Sequence, residues 1–120
     1  MRLLTIMLAA LALLAGGSSA SAHALLRHTQ PPVGSTVKAA PAELVLMFSQ
    51  EVEPVFSSVV VTDAQGTRVD TGTVRTDPQD ATHLLAGVKT LPPGVYKVVW
   101  HVTSVDTHKT EGHFTFTVKP

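Results

Sequence analysis

Asp106 and His108 stand two residues apart in the segment Ser104-Val105-Asp106-Thr107-His108-Lys109-Thr110-Glu111-Gly112. In extended backbone that spacing projects both side chains to the same side. A carboxylate and an imidazole converging from one short segment supply half of a metal site. His23 supplies the other half if it becomes the first residue of the chain. A free N-terminal histidine offers an α-amine and an imidazole nitrogen, which chelate one ion in a closed ring. The α-amine has an ordinary pKa of about 7.7–8.0, so a metal displaces its proton near neutrality. The resulting donor set is nitrogen and oxygen without sulfur. Tetragonal ligation of that kind suits Cu(II) or Ni(II), and the Irving–Williams order favours Cu(II). Zn(II) prefers a tetrahedron. The expected site is one Cu(II) per chain, held by His23, Asp106 and His108.

Whether His23 comes first is decided upstream. Met1-Arg2 is a short positive start, Leu3 to Ala15 is almost unbroken apolar sequence, and a small-residue stretch follows from Gly16 to Ala22. This pattern is that of a secretory signal peptide over residues 1–22, with Ala20-Ser21-Ala22 as the cleavage site. The apolar run falls short of the ~20 residues that a membrane span needs. An uncleaved anchor is the opposing reading. Two neighbouring cuts compete: one after Ala20 leaves Ser21 first, and one after Ala24 removes His23. A cut after Ala22 leaves residues 23–120 as an exported chain with a single modest core. The chain has no cysteine, which excludes disulfides, thiolate ligation and a Cys nucleophile. That absence also suits an oxidising compartment that handles a redox-active metal. Lys plus Arg and Asp plus Glu balance at 9 each, so no nucleic-acid footprint is expected. All 6 histidines lie after residue 22.

The elements that must position these residues read as short strands between turns. Leu25 to Thr29 leads into the turn Gln30-Pro31-Pro32-Val33-Gly34. Glu43 to Ser49 alternates, with Leu44, Leu46 and Phe48 on one face and Val45 and Met47 on the other. Ser57 to Thr62 is Val-rich and ends at the turn Asp63-Ala64-Gln65-Gly66. Thr67 to Arg75 is expected to give one or two strands, and His83 to Ala86 another. After Pro92-Pro93-Gly94, Val95 to Thr103 places Tyr96, Val98, Trp100 and Val102 on one face. His113 to Val118 turns Phe114, Phe116 and Val118 inward. About seven strands and no helical periodicity predict an all-β domain, an immunoglobulin-like β-sandwich or Greek-key barrel. Trp100, Phe48, Phe114 and Phe116 are expected to anchor its core.

Four histidines remain. Pairing of the last two strands symmetrically about His108 sets His101 opposite Thr115 and Thr103 opposite His113, making His101 and His113 diagonal neighbours. Both read as surface residues, with a role behind the metal ligands as the alternative. His113 is the better placed of the two, to hydrogen-bond Asp106 or limit access to the metal, and Glu111 could reach the site as an outer carboxylate. His28 and His83 read as exposed surface.

At this point the chain resembles the CopC family of periplasmic copper-binding proteins, along essentially all of residues 23–120. The likeness runs through His23-Ala24-Leu25, Pro31 to Val37, Ala40 to Ser49, Leu91 to Trp100, Ser104 to His108 and Gly112 to Val118. It implies an immunoglobulin-like sandwich with a high-affinity Cu(II) site, whose ligands fall on His23, Asp106 and His108. Two departures stand out. The family loop commonly reads Asp-Gly-His-Pro, and here Thr107 and Lys109 replace the glycine and proline. Thr107 takes positive φ less easily than glycine, so the loop could differ in shape. Some members carry a Met-rich Cu(I) site, whereas residues 23–120 hold one methionine, Met47, inside a predicted strand, which points to a Cu(II)-only member.

The resemblance implies a monomeric periplasmic copper carrier or buffer rather than an enzyme, serving resistance or transport, with a CopD-type inner-membrane protein as partner. Two other functions compete. Copper oxygenases also use an N-terminal His, but they keep equatorial positions open, and Asp106 would fill one here. A metal-free exported interaction domain is the third reading.

Overall fold

Alternation decides which way each strand faces. Leu44, Leu46 and Phe48 are buried while Val45 and Met47 between them are only half-buried. Tyr96, Val98, Trp100 and Val102 are buried along the longer strand, and Phe114, Phe116 and Val118 along the last. Side chains of period two line one face of a strand, so these sets must meet across a single core.

The computed structural model describes residues 23–120. The expected signal peptide of residues 1–22 lies outside the described residues. Eight strands follow in order: β1 (Leu26–Gln30), β2 (Thr36–Val37), β3 (Glu43–Phe48), β4 (Ser58–Thr62), β5 (Asp70–Asp77), β6 (Asp80–Val88), β7 (Gly94–Thr103) and β8 (Lys109–Val118). They form two four-stranded sheets, ordered β1-β3-β6-β5 and β2-β8-β7-β4. The architecture is the expected all-β sandwich. All pairings are antiparallel except β2 with β8. The strand beyond the expected seven is β2, two residues long, just after the stretch Gln30 to Gly34 that reads as a turn. Asp80–Val88 is twice the length expected from His83 to Ala86, and the region from Thr67 yields one strand, β5, with Arg68 forming only an isolated bridge to Thr62.

The β7–β8 register corrects one expectation. His101 pairs with Glu111 and Val99 with His113, so the hairpin turns about Asp106 rather than His108. The reason is the length of the connection. It spans only Ser104 to His108, and β8 resumes at Lys109, so Glu111 and Gly112 belong to a strand. His101 and His113 remain diagonal neighbours, from the other side.

Two aromatic contacts organise the core. Phe48 meets Trp100 edge-on with ring centroids 5.2 Å apart, joining the two sheets. Tyr96 stacks on Phe116 at 5.5 Å, and its hydroxyl donates to the Pro92 carbonyl. Trp100 lies directly across from Gly112, where an added Cβ would meet its ring at 2.6 Å. Gly112→Ala is therefore expected to destabilise the fold by about 1–3 kcal/mol, the usual cost of overpacking, read as a lower urea midpoint.

One buried charge ties β4 to β5. The Asp70 carboxylate accepts from the Val61 amide at 3.0 Å and pairs with Arg68 at 2.8 Å. Burial alone would raise its pKa, but the Arg68 guanidinium and the Val61 amide together hold it below the ordinary carboxylate value. The stability it adds is thus present above its unfolded pKa of about 3.9, and is lost as pH falls through the lower folded value. Asp70→Asn is expected to cost about 1.5–3 kcal/mol at pH 7. Urea unfolding should show that difference shrinking below pH 4.

Candidate metal centre

The connection between β7 and β8 is held from inside. Ser104 is fully buried, and its backbone bridges Val52. Its amide donates to the His108 carbonyl at 2.9 Å, closing the loop, and its carbonyl accepts from the Thr107 amide at 2.8 Å. Its hydroxyl donates to Asp106 Oδ1 and lies 3.2 Å from the His108 carbonyl. A further tie runs from the Val105 amide to the Glu51 carbonyl at 3.1 Å. Asp106 and His108 therefore project from a loop whose root is part of the core.

Thr107 has φ of +73°, unlike any other non-glycine among the described residues. The loop keeps a left-handed turn at the position where glycine would be easiest, and the β-branched side chain carries the strain. Its hydroxyl donates to the Asp106 carbonyl at 2.6 Å.

Residues 23–25 are brought to this loop by β1 and β8. Ala24 is only 1% exposed, and its carbonyl accepts from Thr110 Oγ1 at 2.9 Å. The Leu25 amide donates to Ser49 Oγ at 2.9 Å, and the Ser49 amide to the Leu25 carbonyl at 2.8 Å. With residues 24 and 25 fixed, the exposed His23 ring sits edge-on to His108 with centroids 4.9 Å apart. Asp106 Oδ2 lies 3.2 Å from His108 Nδ1. The Ser104 hydroxyl, with His108 adding to it, lowers the Asp106 pKa against the opposing effect of desolvation. The carboxylate is thus held ionised, ready as an acceptor or ligand.

His108 is the shared neighbour of the other two. Among the described residues, no three His, Asp or Glu side chains already converge as one metal-binding group. The pairing of Nδ1 with Asp106 fixes the ring and leaves Nε2 as the free nitrogen. Each carboxylate oxygen keeps a lone pair beyond its present partner.

His101, Glu111 and His113 fall elsewhere. His101 Nε2 pairs with Glu111 Oε2 at 2.8 Å on the outer face of β7 and β8. His113 sits opposite Val99, about 13 Å along β8 from its first residue. Glu111 is engaged by His101, while Asp106 is held by Ser104 and His108. His28 is exposed on β1, as expected, and His83 is half-buried with Nε2 3.3 Å from Asp80.

Ser104, Thr110 and Ser49 escaped the sequence reading. Ser104 leaves a local trace, a hydroxyl two residues before the carboxylate it holds. Thr110 and Ser49 leave none, because their partners are 86 and 24 residues away.

The chain's likeness to known proteins covers this whole domain. A family model described as the CopC domain matches residues 26–119. The chain is 42% identical over 99 residues to Protein YobA of Escherichia coli (strain K12), spanning 82% of this chain and 80% of that protein. It is similar to the crystal structure of CopC from Methylosinus trichosporium OB3b, with a TM-score of 0.76 and 32% identity over 82% of this chain and 95% of that one. It is also similar to PcoC, a methionine-rich copper resistance protein from Escherichia coli, with a TM-score of 0.72 and 32% identity over 82% of this chain and all of that one.

Replacing Thr107 by glycine is expected to stabilise the protein by about 0.5–1 kcal/mol, the relief of left-handed strain less the added freedom of the unfolded chain. Equilibrium urea unfolding measures it, and a midpoint that falls would contradict the strain assigned to this residue.

Proposed function

The chain belongs to the CopC family, and from that premise we propose that it is an exported copper carrier holding one Cu(II) at its mature N-terminus. The observation that carries the reading is the meeting of His23 with His108 at 4.9 Å, beside an Asp106 carboxylate already held in place. In the uncleaved chain the His23 nitrogen is an amide, which is a poor ligand. Cleavage after Ala22 turns it into an amine and completes a donor set of the His23 amine and imidazole, a His108 ring nitrogen and an Asp106 oxygen, the ion replacing the present contact of Asp106 with His108 Nδ1. Such a set without sulfur suits Cu(II). Copper is cargo here. Residues 24 and 25 and the Ser104 loop hold the ligands near one another, so the ion has only to draw in side chains that the fold has gathered.

Asp106 separates storage from oxygen chemistry, since a carboxylate in the equatorial plane leaves no open pair of positions for oxygen. The export signal and family membership support a periplasmic location. The family resemblance supports copper buffering, resistance or transfer by a monomer, and a CopD-type membrane protein as recipient.

Native mass spectrometry of the exported protein, with and without Cu(II), is expected to show His23 as the first residue and one copper retained. His23→Ala and His108→Ala should each weaken Cu(II) binding by more than the about 10–100-fold typical of outer-shell partners. Asp106→Ala should weaken it less and change the Cu(II) EPR spectrum. One extra residue ahead of His23 should cost nearly as much as His23→Ala. Indifference to that extension would sink the N-terminal chelate.

A further inference from the structure

Met47 reads from the sequence as a lone strand methionine that points to a Cu(II)-only member, but the register gives it two imidazole neighbours and a reason to depart from that reading. His28 on β1 pairs directly with Met47 on β3, and Met47 pairs directly with His83 on β6. Direct antiparallel partners put their side chains on the same face. That face is the outer one, because the adjoining row, Thr29, Leu46 and Leu84, is buried. From the row we infer a second metal site, His28–Met47–His83, for a soft monovalent cation of the Cu(I) type.

A β-bulge aims the first ligand. The register of β1 on β3 shifts between Leu26 and His28. Arg27 and His28 are consecutive exposed residues in a strand that otherwise alternates. Without the extra residue, Thr29 would face outward and His28 would enter the core opposite Leu46. A one-residue slip exchanges the faces of a strand, and bulges recur where a side chain must be re-aimed.

The spacing suits one ion. Neighbouring strands lie about 4.8 Å apart, so the two histidines flank Met47 at about 5 Å on either side. Both imidazoles can lean inward over the thioether from that distance. On the far side, Asp80 Oδ2 stands 3.3 Å from His83 Nε2. A carboxylate at one ring nitrogen orients the imidazole and leaves Nδ1 for the ion. One thioether and two imidazoles form a soft three-coordinate set, which selects Cu(I) over harder divalent ions. Arg27, exposed in the same bulge, also repels a monovalent ion less than a divalent one. The row shares no residue with His23, Asp106 and His108.

The mature protein, titrated anaerobically with Cu(I) against a bicinchoninate competitor, is expected to hold one Cu(I) with one sulfur and two nitrogen neighbours by X-ray absorption. Ag(I) should compete for the same site. Met47→Leu, which keeps volume and polarity on a half-buried face, should remove the sulfur shell and weaken Cu(I) binding at least ~10-fold, leaving Cu(II) retention unchanged. His28→Ala and His83→Ala should each weaken it by a similar factor. A chain extended ahead of His23 should bind Cu(I) as the parent does, which separates this site from the N-terminal one. A wild-type spectrum without sulfur overturns the site whatever the variants do, and so does a Met47→Leu protein that holds Cu(I) as tightly as the parent.

Discussion

The burial of Ala24 fixes where His23 stands, and the proposed copper chemistry depends on that. Ordering one residue's backbone costs about 1–2 kcal/mol. Here the cost is met by folding: Ala24 lies in the core, its carbonyl is gripped by Thr110, and Leu25 and Ser49 exchange hydrogen bonds. Only the rotations of His23 itself remain to be frozen when an ion arrives. Thr110 lies on β8 just past the Ser104–His108 connection, so the strand that grips Ala24 continues directly from the segment that carries Asp106 and His108. The two halves of the centre are thus one mechanical unit.

Ser104 does for the loop what Ala24 does for His23. A buried hydroxyl needs a partner, because leaving one unmade costs about 1–3 kcal/mol. This one is satisfied by the Asp106 carboxylate two residues on. The same contact orients the carboxylate, lowers its pKa and sets the distance to His108. Left-handed backbone at Thr107 then lets the chain reverse within five residues. The short reversal explains the hairpin register, since β7 and β8 begin pairing at Thr103 and Lys109 and every later rung follows.

The parts of the fold legible in the sequence were those carried by alternation within one strand. Leu44, Leu46 and Phe48, and Tyr96 through Val102, announce their inward faces without reference to any partner. The expectation that His23, Asp106 and His108 lie together came from a local pair and from the signal-like sequence ahead of His23, and the structure brings His23 and Asp106 each beside His108 without closing a group of three among the described residues. Quantities set between strands were less accessible. The β7–β8 register required the turn centre, which Ser104 decides from the core. The bulge at Arg27 is invisible in a string that reads Leu-Leu-Arg-His-Thr. The two residues of β2 join the sheet only because β8 offers them an edge.

Strand β1 links both proposed sites, and the link explains why their metals should differ. Once cleaved as proposed, the residues just ahead of β1 would bring an amine and an imidazole to a carboxylate and a second imidazole, all borderline or hard donors. Five residues later, beyond the bulge, the same strand lays an imidazole beside the thioether of Met47. Neither set can borrow from the other. Met47 is fixed on the outer face of β3, while Asp106 is tied to Ser104 at the hairpin end. On the two proposals, ligand softness sorts by position, and the oxidation state of copper, not its concentration alone, would decide which end of β1 it occupies.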